Sequence, residues 1–327
     1  MSAAGPHAGR SPCAVCGEAR VRVLARLVSE LDGESYDAVR CPSCGLLFAD
    51  PLPTLTQDSL QKIYGDAYTR EQREPTLQAE EMLRRATDRQ MQIVERHVEP
   101  GRALNVGAMS GASRVFVDRG WKLRVLDVSE HAAATARTAW GVDVSVARIE
   151  DFDPSPEKFD FVKLGHVIEH LAEPRRALEN VARMVRPGGI VLIDTDNAGG
   201  LRSQVEFLIR SVVGERLAAR LVRLATGKNL GNRYGRLIPP IHLNIFTERS
   251  LVELLRSTGF DVLEVQKPAW GDPTWFPMTR TPVRLAERVA MSLDRFGAAV
   301  GRGEVLAVLA RRFASPDVSS PDLCVKA

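Results

Sequence analysis

Four cysteines in two matching frames open the chain, Cys13-Ala-Val-Cys16-Gly and Cys41-Pro-Ser-Cys44-Gly. Two sulfurs three residues apart can grip one ion, and the glycine after each pair lets the backbone turn sharply. Four thiolates suit tetrahedral Zn²⁺, with Zn–S bonds near ~2.3 Å. The pairs are separated by 24 residues, slightly beyond the usual zinc-ribbon spacing and enough for a hairpin or two. Four thiolates close the coordination sphere, so the expected metal is structural rather than catalytic. Two disulfides or unliganded thiols are the alternatives, and disulfides require an oxidising compartment. Met1 to Ser11 contain no apolar stretch of the kind that directs secretion. The expected location is the cytoplasm.

A second set of residues points to a nucleotide cofactor. Leu104-Asn105-Val106-Gly107-Ala108-Met109-Ser110-Gly111 reads as a strand end, a glycine loop and a helix start. Asp127 stands 20 residues after Gly107, at the end of the next strand, where a doubly wound fold places a carboxylate against ribose hydroxyls. Glu150 and Asp151 follow the third strand, where a carboxylate can accept from an adenine amino group. The expected cofactor contacts are Asn105, Gly107, Ala108, Met109, Gly111, Asp127, Val128, Glu150, Asp151, Gly165 and His166. The bland alternative has Asp127 and Asp151 merely capping the turns that follow them. The loop lacks the Gly-x-Gly-x-x-Gly that cradles a pyrophosphate, which argues against a dinucleotide.

The candidate catalytic residues are His170, its neighbour Glu169, and His242. An imidazole titrates near neutral pH and can take a proton from a hydroxyl under attack. A hydrogen-bonded structural histidine is the alternative at both positions. Tyr64 and Tyr68 can close a cofactor pocket or serve as core aromatics.

The elements that must position these groups alternate. Apolar runs at 103–106, 122–126, 142–146, 159–164, 190–195, 260–265 and 304–310 read as seven strands, the last two as a hairpin-like edge. Helical patterns lie at 57–98, 130–139, 173–185, 200–226 and 251–257, with Gly259 as a C-cap and Arg186-Pro187-Gly188-Gly189 as a tight turn. That alternation means a largely parallel sheet with helices on both faces. The expected organisation is a disordered N-terminus (1–12), a zinc-ribbon-like module (13–53), a helical linker (54–100), a Rossmann-like domain (101–313) with a helical lid insertion (200–240), and a disordered tail (314–327) carrying the odd Cys324.

Composition excludes several classes. Among 327 residues, 44% are hydrophobic and 26% charged, in the range of a globular protein. No run of about 18 uninterrupted apolar residues suggests a membrane span. Residues 1–50 carry five Arg against six Asp or Glu, and the whole chain has a net charge of +3, so the cysteine module is no basic clamp for nucleic acid. The segment from Leu201 through Arg216, Arg220 and Arg223 is amphipathic and basic; it suits a lid helix, a lipid surface or an acidic, nucleotide- or carrier-linked substrate.

The chain resembles the class I S-adenosylmethionine-dependent methyltransferases, in the small-molecule branch with an N-terminal zinc-binding domain found in sugar and natural-product pathways. The resemblance covers roughly residues 13–312. It is carried by the two Cys-x-x-Cys-Gly knuckles, Tyr64 and Tyr68, Asn105-Val106-Gly107, Asp127, His166-Val167-Ile168-Glu169-His170-Leu171, Arg186-Pro187-Gly188-Gly189 and His242-Leu243-Asn244-Ile245-Phe246-Thr247. It implies a seven-stranded methyltransferase sheet, S-adenosylmethionine as cofactor, structural Zn²⁺, and O-methylation of a small-molecule acceptor, with a homodimer compatible. Two further expectations stay open: an RNA methyltransferase, and a cofactor-fold binding protein without methyl transfer. The second draws on departures from the family pattern. Asn105 stands for the usual loop acid, Met109 for a glycine, and Thr195-Asp196-Asn197 for the usual Thr-Pro-Asn.

Overall fold

The computed structural model describes residues 10–64, 77–107, 111–214, 217–218, 220, 234–275 and 285–313. Ala108, Met109, Tyr68, Arg216, Arg223 and Cys324 lie outside the described residues.

The alternating apolar runs fold into one seven-stranded sheet. Its strands are β4 (Arg102–Val106), β5 (Lys122–Asp127), β6 (Asp143–Val146), β7 (Phe159–Gly165), β8 (Val185–Asp196), β10 (Phe260–Gln266) and β11 (Val305–Arg312), in the order β10-β11-β8-β7-β4-β5-β6. The pairs β8–β7, β7–β4, β4–β5 and β5–β6 are parallel; β11 is antiparallel to both β8 and β10. This is the Rossmann-like sheet expected for a class I methyltransferase. Its order reverses at β4, so the crevice for a ligand opens at the C-terminal ends of β4 and β7.

Each sheet face is covered by helices whose apolar residues recur every three or four positions. On one face lie α5 (Pro174–Met184) and α7 (Glu248–Ser257), which bury Ala177, Leu178, Val181, Leu251, Leu254 and Leu255 against Leu104, Val162, Ile193 and Val308. On the other, α2 (Leu77–Val94), α3 (Arg114–Asp118) and α4 (Glu130–Trp140) contribute Met91, Val94, Phe116 and Ala133. There Phe161 stacks on Phe116 with ring centroids 6.0 Å apart and tilts against Trp121 at 5.6 Å. Full burial of such a ring is worth roughly 1.5–3 kcal/mol.

The N-terminal cysteines sit on a second, four-stranded antiparallel sheet, β1 (Arg22–Val28), β2 (Ser35–Arg40), β3 (Leu47–Asp50) and β9 (Asn244–Ile245). Its fourth strand comes from almost 200 residues downstream: Leu47 pairs with Ile245, and Ala49 N–H donates to Leu243 C=O at 3.0 Å. Cys13, Cys41, Cys44 and Phe48 pack in the same hydrophobic cluster as α5 and α7. Thr247 Oγ1 donates to Cys44 C=O at 3.0 Å, and Arg175 of α5 donates to Val15 C=O.

Several expectations change in detail. The linker described here has a short α1 (Gln57–Ile63) before α2, with residues 65–76 between them outside the described set. The expected turn at Arg186–Gly189 is a bulge: α5 runs directly into β8, and the ladder jumps from Phe159–Val185 to Phe161–Ile190. The two last strands pair antiparallel but form no hairpin, because α8 (Leu285–Ala299), absent from the expectation, lies between them. Thr258 is the C-cap of α7, with Gly259 following it. Within the expected 200–226 helix, α6 spans Leu201–Val213 and ends at Gly214.

Thr247 caps α7 by accepting the Ser250 N–H at 3.1 Å while it holds Cys44. Loss of such a cap costs about 1–2 kcal/mol. Thr247→Ala should lower unfolding stability by that amount in a denaturant titration, and Thr247→Ser should recover most of it.

Candidate active site

Gly107 closes β4 with a φ of +75°, and its N–H donates to Leu126 C=O at 2.8 Å. A Cβ here would meet Val167 Cγ2 at 2.7 Å, so glycine is what lets the loop after β4 lie against the turn after β7. Asn105 reaches along the same face, its amide donating to Ser113 Oγ at 3.0 Å and tying β4 to the start of α3. Gly111 begins the short helical turn before α3. At the end of β5, Asp127 is buried, and its Oδ1 accepts the Ser129 N–H at 2.8 Å. Asp127 thus fills the role expected of a residue that caps the turn following it. Next to it, Val128 C=O accepts from Gln57 Nε2 of α1 at 2.8 Å.

Glu150 and Asp151 follow β6 as expected but are bound to arginines. Glu150 is buried 3.2 Å from Arg148 Nη2, and Asp151 is half-exposed and accepts from Arg176 at 2.6 Å. Arg148 also donates to Leu55 C=O at 2.8 Å, so the linker crosses this edge of the crevice.

The turn after β7 brings the densest chemistry. His166 has a φ of 51°, the one positive value at a non-glycine among the described residues. Such a conformation costs energy and persists only where neighbours enforce it. Its N–H donates to Asp194 C=O at 2.8 Å, and its Nδ1 lies 2.9 Å from Glu169 Oε1. Glu169 is 0% exposed, and its other oxygen accepts from Thr195 Oγ1 at 2.8 Å. Burial alone would raise the Glu169 pKa, but the His166 hydrogen bond and charge outweigh it and bring it down to about 2. Burial likewise opposes a charged His166, yet Glu169, Asp194 and Asp196 push its pKa up to about 9. The two form an ion pair.

His170 and His242 are brought together, ring centroids 4.7 Å apart and nearly perpendicular. His170 Nδ1–H donates to Ile241 C=O at 2.9 Å and lies 2.9 Å from the Tyr64 hydroxyl. His242 Nδ1–H donates to Arg236 C=O at 3.0 Å. Burial, then the neighbouring His242, lower the His170 pKa to about 4, which keeps that ring neutral. Tyr64 thus closes over the site from the linker.

Several residues here had no role in the sequence analysis. Lys163 donates to Gln90 Oε1 at 2.6 Å; burial lowers its pKa against the field of Asp194, while burial raises that of Asp194 against the field of Lys163. Asp196 is 1% exposed and neither oxygen has a hydrogen-bond partner among the described residues; Arg236 Nε is 3.8 Å away and His242 Nδ1 3.5 Å. Arg236 stacks on the Trp270 ring at 3.8 Å. A lysine inside the apolar run Phe159–Gly165 was a visible signal, as was Asp196 in place of proline. Arg236 and Trp270 carried none.

The cysteines form two equivalent knuckles. Gly17 N–H donates to Cys13 C=O and Cys13 N–H to Glu18 C=O; Gly45 and Cys41 repeat both bonds, to Cys41 C=O and Leu46 C=O. The four sulfurs lie within 4.8 Å of one another, with Cys13–Cys44 at 3.5 Å and Cys16–Cys41 at 3.4 Å. A tetrahedral ion with ~2.3 Å bonds separates its sulfurs by about 3.8 Å, so the quartet fits.

Residues 77–265, more than half of the chain, match the profile of a methyltransferase domain. The chain belongs to that family. It is 30% identical over 104 residues to an uncharacterized protein of Methanocaldococcus jannaschii, covering 32% of this chain and 49% of that one. It is 27% identical over 165 residues to the ubiquinone biosynthesis O-methyltransferase of Thiobacillus denitrificans, covering 48% of this chain and 67% of that enzyme. The chain thus spans about half to two thirds of the length of these relatives. Among solved structures, a chain of the complex between the Haloferax volcanii Trm112 methyltransferase activator and its methyltransferase superposes with a TM-score of 0.50 at 18% identity, over 80% of this chain and 99% of that one. That likeness is one of fold. The cysteine knuckles lie outside the 77–265 match.

Proposed function

We propose that the chain transfers a methyl group from S-adenosylmethionine to a hydroxyl of a small molecule, a sugar or natural-product intermediate. The observation that carries this is the meeting of Gly107 with Val167 of the His166–His170 turn and with the end of β5 beside Asp127, in a methyltransferase-family sheet, with His242 and Tyr64 against His170. When bound, the cofactor supplies an activated methyl on a positively charged sulfur. Asp127 would hold its ribose, and the Gly107 loop and Gly165–His166 would line its body. The protein's own contribution is then alignment and exclusion of water, which is where most of the acceleration of an in-line displacement comes from. The histidine pair receives the acceptor's hydroxyl and eases loss of its proton, with Glu169 fixing the turn that presents His170. The O-methyltransferase activity of relatives supports oxygen as the accepting atom. The small net charge of +3 favours a small molecule over RNA.

Beside this site, we infer that Cys13, Cys16, Cys41 and Cys44 hold one structural Zn²⁺, within a 13–53 module whose sheet is completed by β9. Metal binding then stabilises the fold of the module.

Three measurements test these assignments. Calorimetric titration with S-adenosylmethionine should show binding, and Asp127→Ala should weaken it about ten- to a hundredfold, the loss of roughly 1–3 kcal/mol expected when ribose hydroxyls lose their acceptor. Absent cofactor binding in the native chain would leave a binding protein without methyl transfer. His170→Ala should cut release of S-adenosylhomocysteine with a competent alcohol by ~10²–10⁴-fold while cofactor affinity stays as in the parent. Cys41→Ser should lower the zinc content of protein purified without added metal by about one ion per chain and destabilise the four-stranded sheet; unchanged zinc would remove the cysteine assignment.

A further inference from the structure

The histidine pair and Glu169 have the arrangement of a metal site distinct from the cysteines. The three residues each offer a donor atom, and these atoms lie within 4.8 Å of one another. A point equidistant from three atoms 4.8 Å apart is about 2.8 Å from each, so side-chain shifts of under about 1 Å would reach bonds of ~2.0–2.2 Å.

The orientation of the rings matters more than their spacing. A carbonyl oxygen only accepts, so the contacts of His170 Nδ1 with Ile241 C=O and of His242 Nδ1 with Arg236 C=O place the proton on Nδ1 in both rings. Both Nε2 atoms then carry lone pairs, and neither makes a hydrogen bond among the described residues. Metal-binding histidines are held in this manner, with the far nitrogen donating to a carbonyl or carboxylate. Glu169 is oriented likewise, by His166 and Thr195, and each oxygen keeps a second lone pair. An independent observation lies beside them: Asp196, buried and without a hydrogen bond among the described residues, has Oδ2 3.5 Å from His242 Nδ1. A buried carboxylate calls for positive charge nearby; Arg236 faces it as an ion pair at 3.8 Å but donates no hydrogen bond, so its lone pairs stay unfilled among the described residues.

We propose that Glu169, His170 and His242 bind one divalent first-row transition-metal ion, with Asp196 offsetting its charge, and that this ion is what receives the acceptor's hydroxyl. The ligand set of two imidazoles and a carboxylate suits Zn²⁺, Mn²⁺, Fe²⁺ or Co²⁺ better than Mg²⁺, and three protein ligands leave positions open for an oxygen. The inference deepens the methyl-transfer reading and rests on it for the role of the ion. As a Lewis acid the ion lowers the pKa of the hydroxyl. The O–H proton passes to water, an oxygen lone pair forms the new O–C bond, and the C–S bond breaks with its electrons going to sulfur, giving the methyl ether and S-adenosylhomocysteine.

The test uses the full-length, zinc-replete chain titrated with Mn²⁺ and followed by electron paramagnetic resonance, since Mn²⁺ competes poorly for four thiolates. About one Mn²⁺ per chain should bind, with nitrogen hyperfine coupling from two imidazoles. His170→Gln and His242→Gln should each weaken binding at least about tenfold, whereas Asp127→Ala should leave it unchanged. Absence of bound Mn²⁺, Co²⁺ or Zn²⁺ beyond the cysteine site, absence of nitrogen coupling, or unchanged affinity in both histidine variants overturns the site. The wild-type spectrum decides the matter even if a variant fails to fold. Calorimetry with S-adenosylmethionine on the same samples separates the two proposals: cofactor binding without Mn²⁺ defeats only the metal site, and Mn²⁺ binding without cofactor defeats only the methyl-transfer reading.

Discussion

A charged carboxylate with no exposure to water, Glu169, holds the site's elements together. Burying such a group costs several kcal/mol unless its charge and lone pairs are met on all sides. Here one oxygen meets His166 on its own turn and the other meets Thr195 of β8, while its backbone carbonyl accepts the Leu243 N–H at 2.7 Å. Those three contacts bind the end of β7, the end of β8 and the segment leading to β9. The left-handed backbone of His166 follows from them, because the ion pair and the bond to Asp194 C=O hold the residue there against its own preference. Loosening Glu169 would therefore disturb the crevice and the docking of the small sheet at once.

The small sheet is consequently part of the site's construction. Cysteine knuckles fix β3, β3 pairs with β9, and His242 lies two residues before β9, so a metal at the knuckles would help set the position of a ring over 200 residues away in sequence. The linker acts from the opposite rim. Gln57 reaches Val128 C=O beside Asp127, Arg148 reaches back to Leu55, and Tyr64 touches His170. The crevice is bounded by segments that lie before and after the parallel strands in the chain, and the matched family region from 77 to 265 contains only one of those two boundaries.

Legibility in the sequence followed burial. Strands covered on both faces read as apolar runs, so β4, β5, β7 and β11 were located to within two residues, and β8 from Ile190 onward. The two-residue β9 has no periodicity to detect; it exists because β3 offers an unpaired edge. Helix α8 was missed between two strands that pair with each other across it. At the site, the cysteine frames and the Gly107–Asp127 spacing were local patterns and could be read directly. The pairing of His170 with His242 could not, since it depends on Ile238, Ile241 and Leu243 turning the chain back through bonds to His242 and Glu169. Asp196 and Lys163 break the apolar pattern of their strands, and such breaks mark buried polar networks more reliably than they announce what the network does.

The order of those polar contacts has a chemical logic. Beside the histidine pair, Glu169 and His166 neutralise each other at 2.9 Å, whereas Asp196 faces Arg236 at 3.8 Å and His242 Nδ1 at 3.5 Å. Asp196 is thus the less closely compensated of these two carboxylates. In methyl transfer from a sulfonium, the positive charge on sulfur disappears as the reaction proceeds, so a bare carboxylate close to sulfur stabilises the ground state more than the transition state and slows the step. An oxygen nucleophile has the opposite need, for positive charge while its proton departs. On the methyl-transfer reading, a cation between Asp196 and the acceptor's oxygen would meet both requirements. Arg236, stacked on Trp270, faces Asp196 as an ion pair at 3.8 Å without a hydrogen bond, and Glu169, His170 and His242 are the residues proposed to hold a further cation.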